Sequence, residues 1–150
     1  MPIFGVDVSR HQGAKLDWAR IRASGIDFMI ARASLATTPD ERYRDYHRGA
    51  KEAGIPVLGA YHFLYPADVV SPAEQARLFV KRIGDATDLL TMLDVERDGP
   101  HKPKIKDARE FAEAFGDLTS GHPLLLYAPG WYWPRIGNPA ASDLGPLVAS

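Results

Sequence analysis

Leu89-Leu90-Thr91-Met92-Leu93-Asp94-Val95-Glu96 is the stretch on which the reading of this chain turns. Leu89, Leu90, Met92 and Leu93 read as a buried strand, and two carboxylates at the end of such a strand need a reason. Strand side chains alternate between faces, so Asp94 and Glu96 share one face with Cα atoms roughly 6.5–7 Å apart. Two like charges held that close resist joint ionisation, and the pKa of at least one rises. A protonated carboxyl beside an ionised one is what cleavage of a glycosidic bond requires. The spacing equally admits carboxylates that pair with basic residues or simply cap the strand end.

Outward from this stretch, similar runs recur at Ile3–Val8, Asp27–Ala33, Val57–Phe63 and Pro123–Tyr127, which with Leu89–Val95 make five strand candidates. Each after the first begins 24 to 34 residues beyond its predecessor, a length suited to strand–helix units. The intervening segments carry helix punctuation. Ser71-Pro72-Ala73-Glu74 is a capping-box pattern with proline at the first helical position, followed by Ala76, Phe79, Val80 and Ile83 at helical spacing. Gly25, Gly54 and Gly84 sit where helices would end, and Asp17 is placed to cap the first helix. Ile105, Ala108, Phe111, Ala112 and Phe115 give the fourth helix its apolar stripe.

Strand–helix alternation implies a parallel sheet, because parallel strands need crossover connections. An open doubly wound sheet and a (β/α) barrel both fit that pattern. Polar residues favour the barrel: Asp7 and Ser9, Arg32 and Ser34, His62, Asp94 and Glu96, and Tyr127 all fall at C-terminal strand ends. In a barrel those ends converge on the face that carries the active site. An open sheet would more often place a glycine-rich phosphate loop at its switch point, and no such motif occurs here. Eight units usually take more than about 200 residues. The expectation is therefore one catalytic domain over residues 1–150, a TIM-like α/β barrel short of its final strands. A possible sixth strand, Leu144–Ala149, would follow a Pro/Gly-rich loop over Pro134–Pro146.

Composition narrows the classes. With 45% hydrophobic and 25% charged residues the chain is of ordinary globular type. A net charge of −1, with both signs scattered, argues against nucleic acid as partner. Cysteine is absent, which leaves neither disulfides nor thiolate metal sites. No apolar run approaches the roughly 20 residues that span a bilayer, so membrane insertion is not expected. The opening residues Met1-Pro2-Ile3-Phe4 do not read as a secretory signal, having no basic segment followed by a long apolar stretch. The histidines His11, His47, His101 and His122 are too dispersed to define a metal site, and no cofactor is expected.

The motifs at the strand ends, taken in order, resemble glycoside hydrolase family 25, the lysozymes or N-acetylmuramidases that cut bacterial cell-wall glycan. Phe4-Gly5-Val6-Asp7-Val8-Ser9-Arg10-His11-Gln12 is similar to the first-strand signature of that family. Phe28-Met29-Ile30-Ala31-Arg32-Ala33-Ser34 is similar to the second, with Arg32 where lysine is more usual. Gly59-Ala60-Tyr61-His62-Phe63 matches the third strand and Leu93-Asp94-Val95-Glu96 the fourth. Leu124-Leu125-Leu126-Tyr127, with Trp131 and Trp133 beyond it, matches the fifth strand and its aromatic loop. Full-length members carry a further acidic residue on a late strand, past the end of this sequence.

The resemblance implies peptidoglycan as substrate, with no nucleic acid or membrane involved. It implies action at the bacterial cell wall after secretion or release from phage. By the same resemblance Glu96 is the general acid. Asp94 stays ionised and orients a 2-acetamido group whose carbonyl oxygen attacks the anomeric carbon, and Asp7 supports both electrostatically. A direct role for Asp94 or Asp7 as nucleophile or base is the competing mechanism. Tyr61, His62, Gln12 and Arg32 are candidates for substrate contacts in the cleft, each with a purely structural alternative. Tyr127 and Trp131 are candidate stacking platforms for sugar rings. One of Trp131 and Trp133 is expected to pack as core, as is Trp18. Two other functions compete: a wall-binding module that does not turn over, and a barrel hydrolase acting on another N-acetylated glycan such as chitin.

Overall fold

Apolar runs and helical stripes assemble into one sheet with helices packed against it. The computed structural model describes residues 1–140 and 147–149. Its strands are β1 (Gly5–Val8), β2 (Phe28–Leu35), β3 (Thr38–Pro39), β4 (Val57–Phe63), β5 (Leu90–Asp94), β6 (Leu124–Tyr127) and β7 (Leu147–Ala149). Helices α1 (Trp18–Ala23), α2 (Tyr43–Glu52), α3 (Pro72–Ile83) and α4 (Ile105–Thr119) lie between them, with 3-10 turns at Arg10–Gln12 and Trp133–Ile136. The strand order is β1-β2-β4-β5-β6-β7, with every neighbouring pair parallel. This is the α/β class with a parallel sheet that strand–helix alternation predicts. Among the described residues β1 pairs only with β2 on this path and β7 only with β6, so the sheet stays open between them.

Three details depart from the sequence reading. β1 begins at Gly5 rather than Ile3, and the side chains of Ile3 and Phe4 are exposed. The short β3, antiparallel to β2, has no periodic signal at two residues. Of the sixth strand expected at Leu144–Ala149, only Leu147–Ala149 is described, and residues 144–146 lie outside the described residues.

Helix ends behave as their residues dictate. The Asp17 side chain accepts from the Arg20 amide at 2.9 Å, and the Ser71 hydroxyl accepts from the Glu74 amide at 3.3 Å. Gly84 closes α3 at φ 71°, a left-handed conformation that costs glycine nothing.

What matters for the site is the sidedness of β5. Leu93 and Val95 are fully buried in the core cluster with Phe79 of α3 and Phe111 and Phe115 of α4. The three phenylalanine rings contact one another with centroids 5.8 to 6.4 Å apart. Truncating any one to alanine would cost about 3–5 kcal/mol. With that anchor on the helix side, alternation forces Asp94 and Glu96 to the opposite face. β2 adds a second decision. Its register against β4 runs Arg32↔Tyr61 and then Ser34↔His62, so Ala33 is an extra, bulged residue. The bulge sends Arg32 to the carboxylate side with Tyr61 and Ser34 to the helix side with His62.

Candidate active site

At the C-terminal ends of the strands lies an open cavity of about 390 Å³. Asp7 reaches it from β1, Arg32 from β2, Tyr61 from β4, and Asp94 with Glu96 from the end of β5. Tyr127 of β6 stands at its side, level with Asp94 in the strand register. The three acidic residues that the sequence proposes as catalytic therefore face one space.

Burial separates the two carboxyls at the end of β5. Asp94 is only 7% exposed, and its Oδ1 has no hydrogen-bond partner. Desolvation, reinforced by Glu96 and Asp7, raises its pKa from 3.8 to about 8, against an opposing pull from Arg32. Glu96 is half-buried and sits one step nearer the solvent. Its pKa is raised as well, first by burial and then by Asp98 and Asp7, while a hydrogen bond with Asp94 works in the other direction. A pKa of about 8 leaves Asp94 protonated at neutral pH, beside the Glu96 carboxyl. This corrects the expectation that Asp94 is ionised at rest. The deeper group keeps the proton because its charged form would lose more hydration.

The other side chains divide sharply. Arg32, 6% exposed, lines the cavity but gives its Nε–H to Asp40 Oδ2 at 2.9 Å rather than pairing with Glu96. Asp40 is itself buried and also accepts from the amides of Arg10 and Arg42, both at 3.0 Å. Much of the Arg32 charge is thereby engaged, which helps to leave the Asp94 pKa high. Tyr61 is buried with its hydroxyl bonded to the Ser9 side chain, and its pKa is raised by burial, so it remains a donor.

His62 is not a substrate contact. It lies on the helix side of β4, fully buried and stacked on Phe111 at 5.0 Å. Gln75 donates through its amide to the carbonyls of Tyr65 and Val70, so its Oε1 is the acceptor facing His62 Nε2 at 2.9 Å. His62 thus carries its proton on Nε2 and accepts from the Ser34 hydroxyl at Nδ1, 2.8 Å away. Burial lowers its pKa to about 4, and the ring is neutral at physiological pH. Tyr61 and His62 are consecutive in one strand and cannot both face the cavity.

Gln12 is also elsewhere. Its Oε1 accepts from the Ser9 amide at 2.7 Å, closing a capping box on the turn after β1, and Gln12 does not line the cavity. Trp131 is 55% exposed on the loop beyond β6 and lies outside the cavity lining, edge-on to Tyr132. Trp133 packs against the core, and Trp18 is half-buried beside Tyr46 at 5.8 Å. The cavity is also lined by Ser9, placed at a strand end by the sequence but given no role there, and by His11, Leu35, Phe63, Met92, Arg97 and Asp98, which the sequence reading did not assign to it. For Ser9, Phe63 and Met92 the signal was present: each follows the two-residue alternation from Asp7, Tyr61 or Asp94. Among the described residues no group of three or more potential ligands is placed to hold a metal ion.

Comparison with known proteins agrees with this geometry. The model of the glycosyl hydrolases family 25 matches residues 6–146. An autolytic lysozyme of Clostridium acetobutylicum is 33% identical over 148 residues, covering 97% of this chain and 44% of that protein. The chain thus spans less than half the length of that relative. A family 25 glycosyl hydrolase from Bacillus anthracis superposes with a TM-score of 0.81 at 22% identity, over 99% of this chain and 70% of that one. A muramidase from Acremonium alcalophilum superposes at 0.75 with 27% identity, over 92% and 71% of the two chains. With a family match across nearly all of its length and the carboxylate pair set at the strand ends, this chain belongs to glycosyl hydrolase family 25.

Proposed function

We propose that this chain hydrolyses the β-1,4 bond between N-acetylmuramic acid and N-acetylglucosamine in peptidoglycan, acting at the bacterial cell wall as one catalytic unit. The observation that carries this reading is the carboxyl cluster at one cavity: Asp94, buried and with its pKa raised to about 8, beside Glu96 and Asp7, which line the same space. Such a cluster delivers an acid at neutral pH, where an isolated carboxyl would be ionised. Membership of a glycosidase family and similarity to an autolytic lysozyme and a muramidase support the substrate class.

The chemistry follows from the order of burial. An arriving 2-acetamido N–H is a donor, and it bonds best to an ionised Asp94. As Asp94 turns to that donor its proton passes to Glu96. Glu96 then protonates the departing glycosidic oxygen while the acetamido carbonyl oxygen attacks the anomeric carbon from the other side. Water opens the resulting oxazolinium ion at the anomeric carbon and yields its proton to Glu96; as the product leaves, that proton returns to Asp94 and the starting state is restored. Substrate participation of this kind replaces the enzyme nucleophile of the usual two-carboxylate scheme. Asp7 and the Tyr61 hydroxyl face the same space, the first stabilising developing positive charge and the second donating to the acetamido oxygen.

The test is clearing of a turbid cell-wall suspension by wild-type protein and by Glu96→Gln. Loss of the acid should lower the rate by about 10²–10⁴-fold. Mass analysis of released fragments should find muramic acid at the new reducing ends. Protein that pellets with walls but never clears them would indicate a binding module, and clearing untouched by Glu96→Gln would refute the assignment.

A further inference from the structure

The connection from β5 to α4 is rich in positive charge. Between Glu96 and Ile105 it presents Arg97, His101, Lys102 and Lys104. Its acid, Asp98, accepts from the Tyr65 hydroxyl at 2.7 Å. Lys102, Pro103 and Lys104 border a hollow of about 340 Å³ completed by Arg97, Tyr132 and Arg135. No carboxylate lines it, although Asp68 and Asp107 border a neighbouring hollow that Lys102 and Lys104 also line. Asp107 is engaged there, accepting from the Lys104 amide at 2.7 Å.

Ion pairs among the described residues are Arg32–Asp40, Arg42–Asp45 and Arg48–Asp45, so none involves the four cations of this hollow. All four are exposed. The base beneath them is rigid: Tyr132, 3% exposed, donates its hydroxyl to the Pro103 carbonyl at 2.8 Å and ties the loop to the segment after β6. Arg97 lines both this hollow and the catalytic cavity, so the two spaces meet at the residue next to Glu96. Four like charges around one small space repel each other, and an anion entering it relieves that repulsion.

We propose that this hollow receives a carboxylate of the peptide borne by the muramic residue, so that the protein reads the substituent beside the bond it cuts. The inference rests on the function proposed above. Charge complementarity selects the occupant: the sugar rings and their acetamido groups are neutral, whereas the peptide on the lactyl ether ends in carboxylates. Glu96 acts on the bond of the muramic residue that bears this substituent, and the cationic hollow is the space adjoining the cavity at Arg97, the residue next to Glu96.

The test compares two phosphate-free soluble glycans of equal length, one bearing its peptides and one stripped of them by an amidase, with the lactyl carboxylates so freed then capped as neutral methylamides. Equilibrium binding is measured with Glu96→Gln protein, so that nothing is consumed. The peptide-bearing glycan should bind roughly three- to tenfold more tightly at low salt, the scale of one or two partly exposed charge pairs, with the gap shrinking as salt rises. Adding Lys102→Gln and Arg135→Gln together should close the gap, while Lys51→Gln on α2 should leave it. No gap, or a gap that survives the double substitution or high salt, overturns the proposal; a hollow made for wall-polymer phosphate would give the first of these results. Hydrolysis of the stripped glycan by the wild-type protein, scored separately, reports on the underlying function whatever the binding shows.

Discussion

Replacing Asp94 by asparagine sets the stability of the fold against the needs of the site. Asp94 holds its proton up to a pKa of about 8 in the folded chain, against 3.8 when unperturbed. Between those two values the native state binds a proton that the unfolded chain has released, so stability falls as pH rises. The contribution is intact below about pH 4 and the full penalty is reached above about pH 8. pH 7 lies some three units above the unfolded pKa of 3.8 and still below the folded one, so at 1.36 kcal/mol per unit about 4 kcal/mol of the penalty is expressed there. Asparagine matches the protonated acid in shape and has no charge to suppress. The stability of Asp94→Asn minus that of wild type should therefore grow by about 4 kcal/mol from pH 4 to pH 7, a widening of roughly 8–16 °C in melting temperature for a chain of this size. Any cost of leaving the new amide without a partner is the same at every pH and drops out of the difference. Urea or thermal unfolding of both proteins across this range is the assay. A difference that stays flat with pH would refute the assignment of the buried proton to Asp94. The same variant should fail to clear walls, since it can neither ionise towards an acetamido N–H nor pass a proton to Glu96.

The alkaline limb of the pH–rate profile should fall near pH 8, where the Asp94–Glu96 pair loses its shared proton; a limb confined below pH 6 would contradict that ionisation order. Gln75→Leu should destabilise the fold by about 2–4 kcal/mol in urea titration, because one buried and three partly buried hydrogen bonds to His62, Tyr65 and Val70 lose their partner. Trp131→Ala should leave the melting temperature within about a degree of wild type, the residue being exposed, and raise KM for cell walls several-fold with kcat unchanged if the ring serves as a sugar platform.

Local rules make much of this molecule legible in its sequence. Apolar runs at strand–helix spacing specify the parallel sheet, and the caps at Asp17 and Ser71 and the stop at Gly84 sit where their residue types place them. Alternation along β5 is enough to put Asp94 and Glu96 on one face, because that relation involves three adjacent residues and nothing else. Only the folded chain decides which of the two keeps a proton, since depth of burial depends on elements far away in sequence. The bulge at Ala33 is a property of two strands in register, and without it Arg32 and Ser34 would point the same way. Gln75, thirteen residues from His62, and Asp40, which engages Arg32, likewise act across turns of chain that no local pattern spans. Spacing along a strand thus specifies the direction of each side chain, whereas its charge state and its partner emerge from what the rest of the fold packs around it.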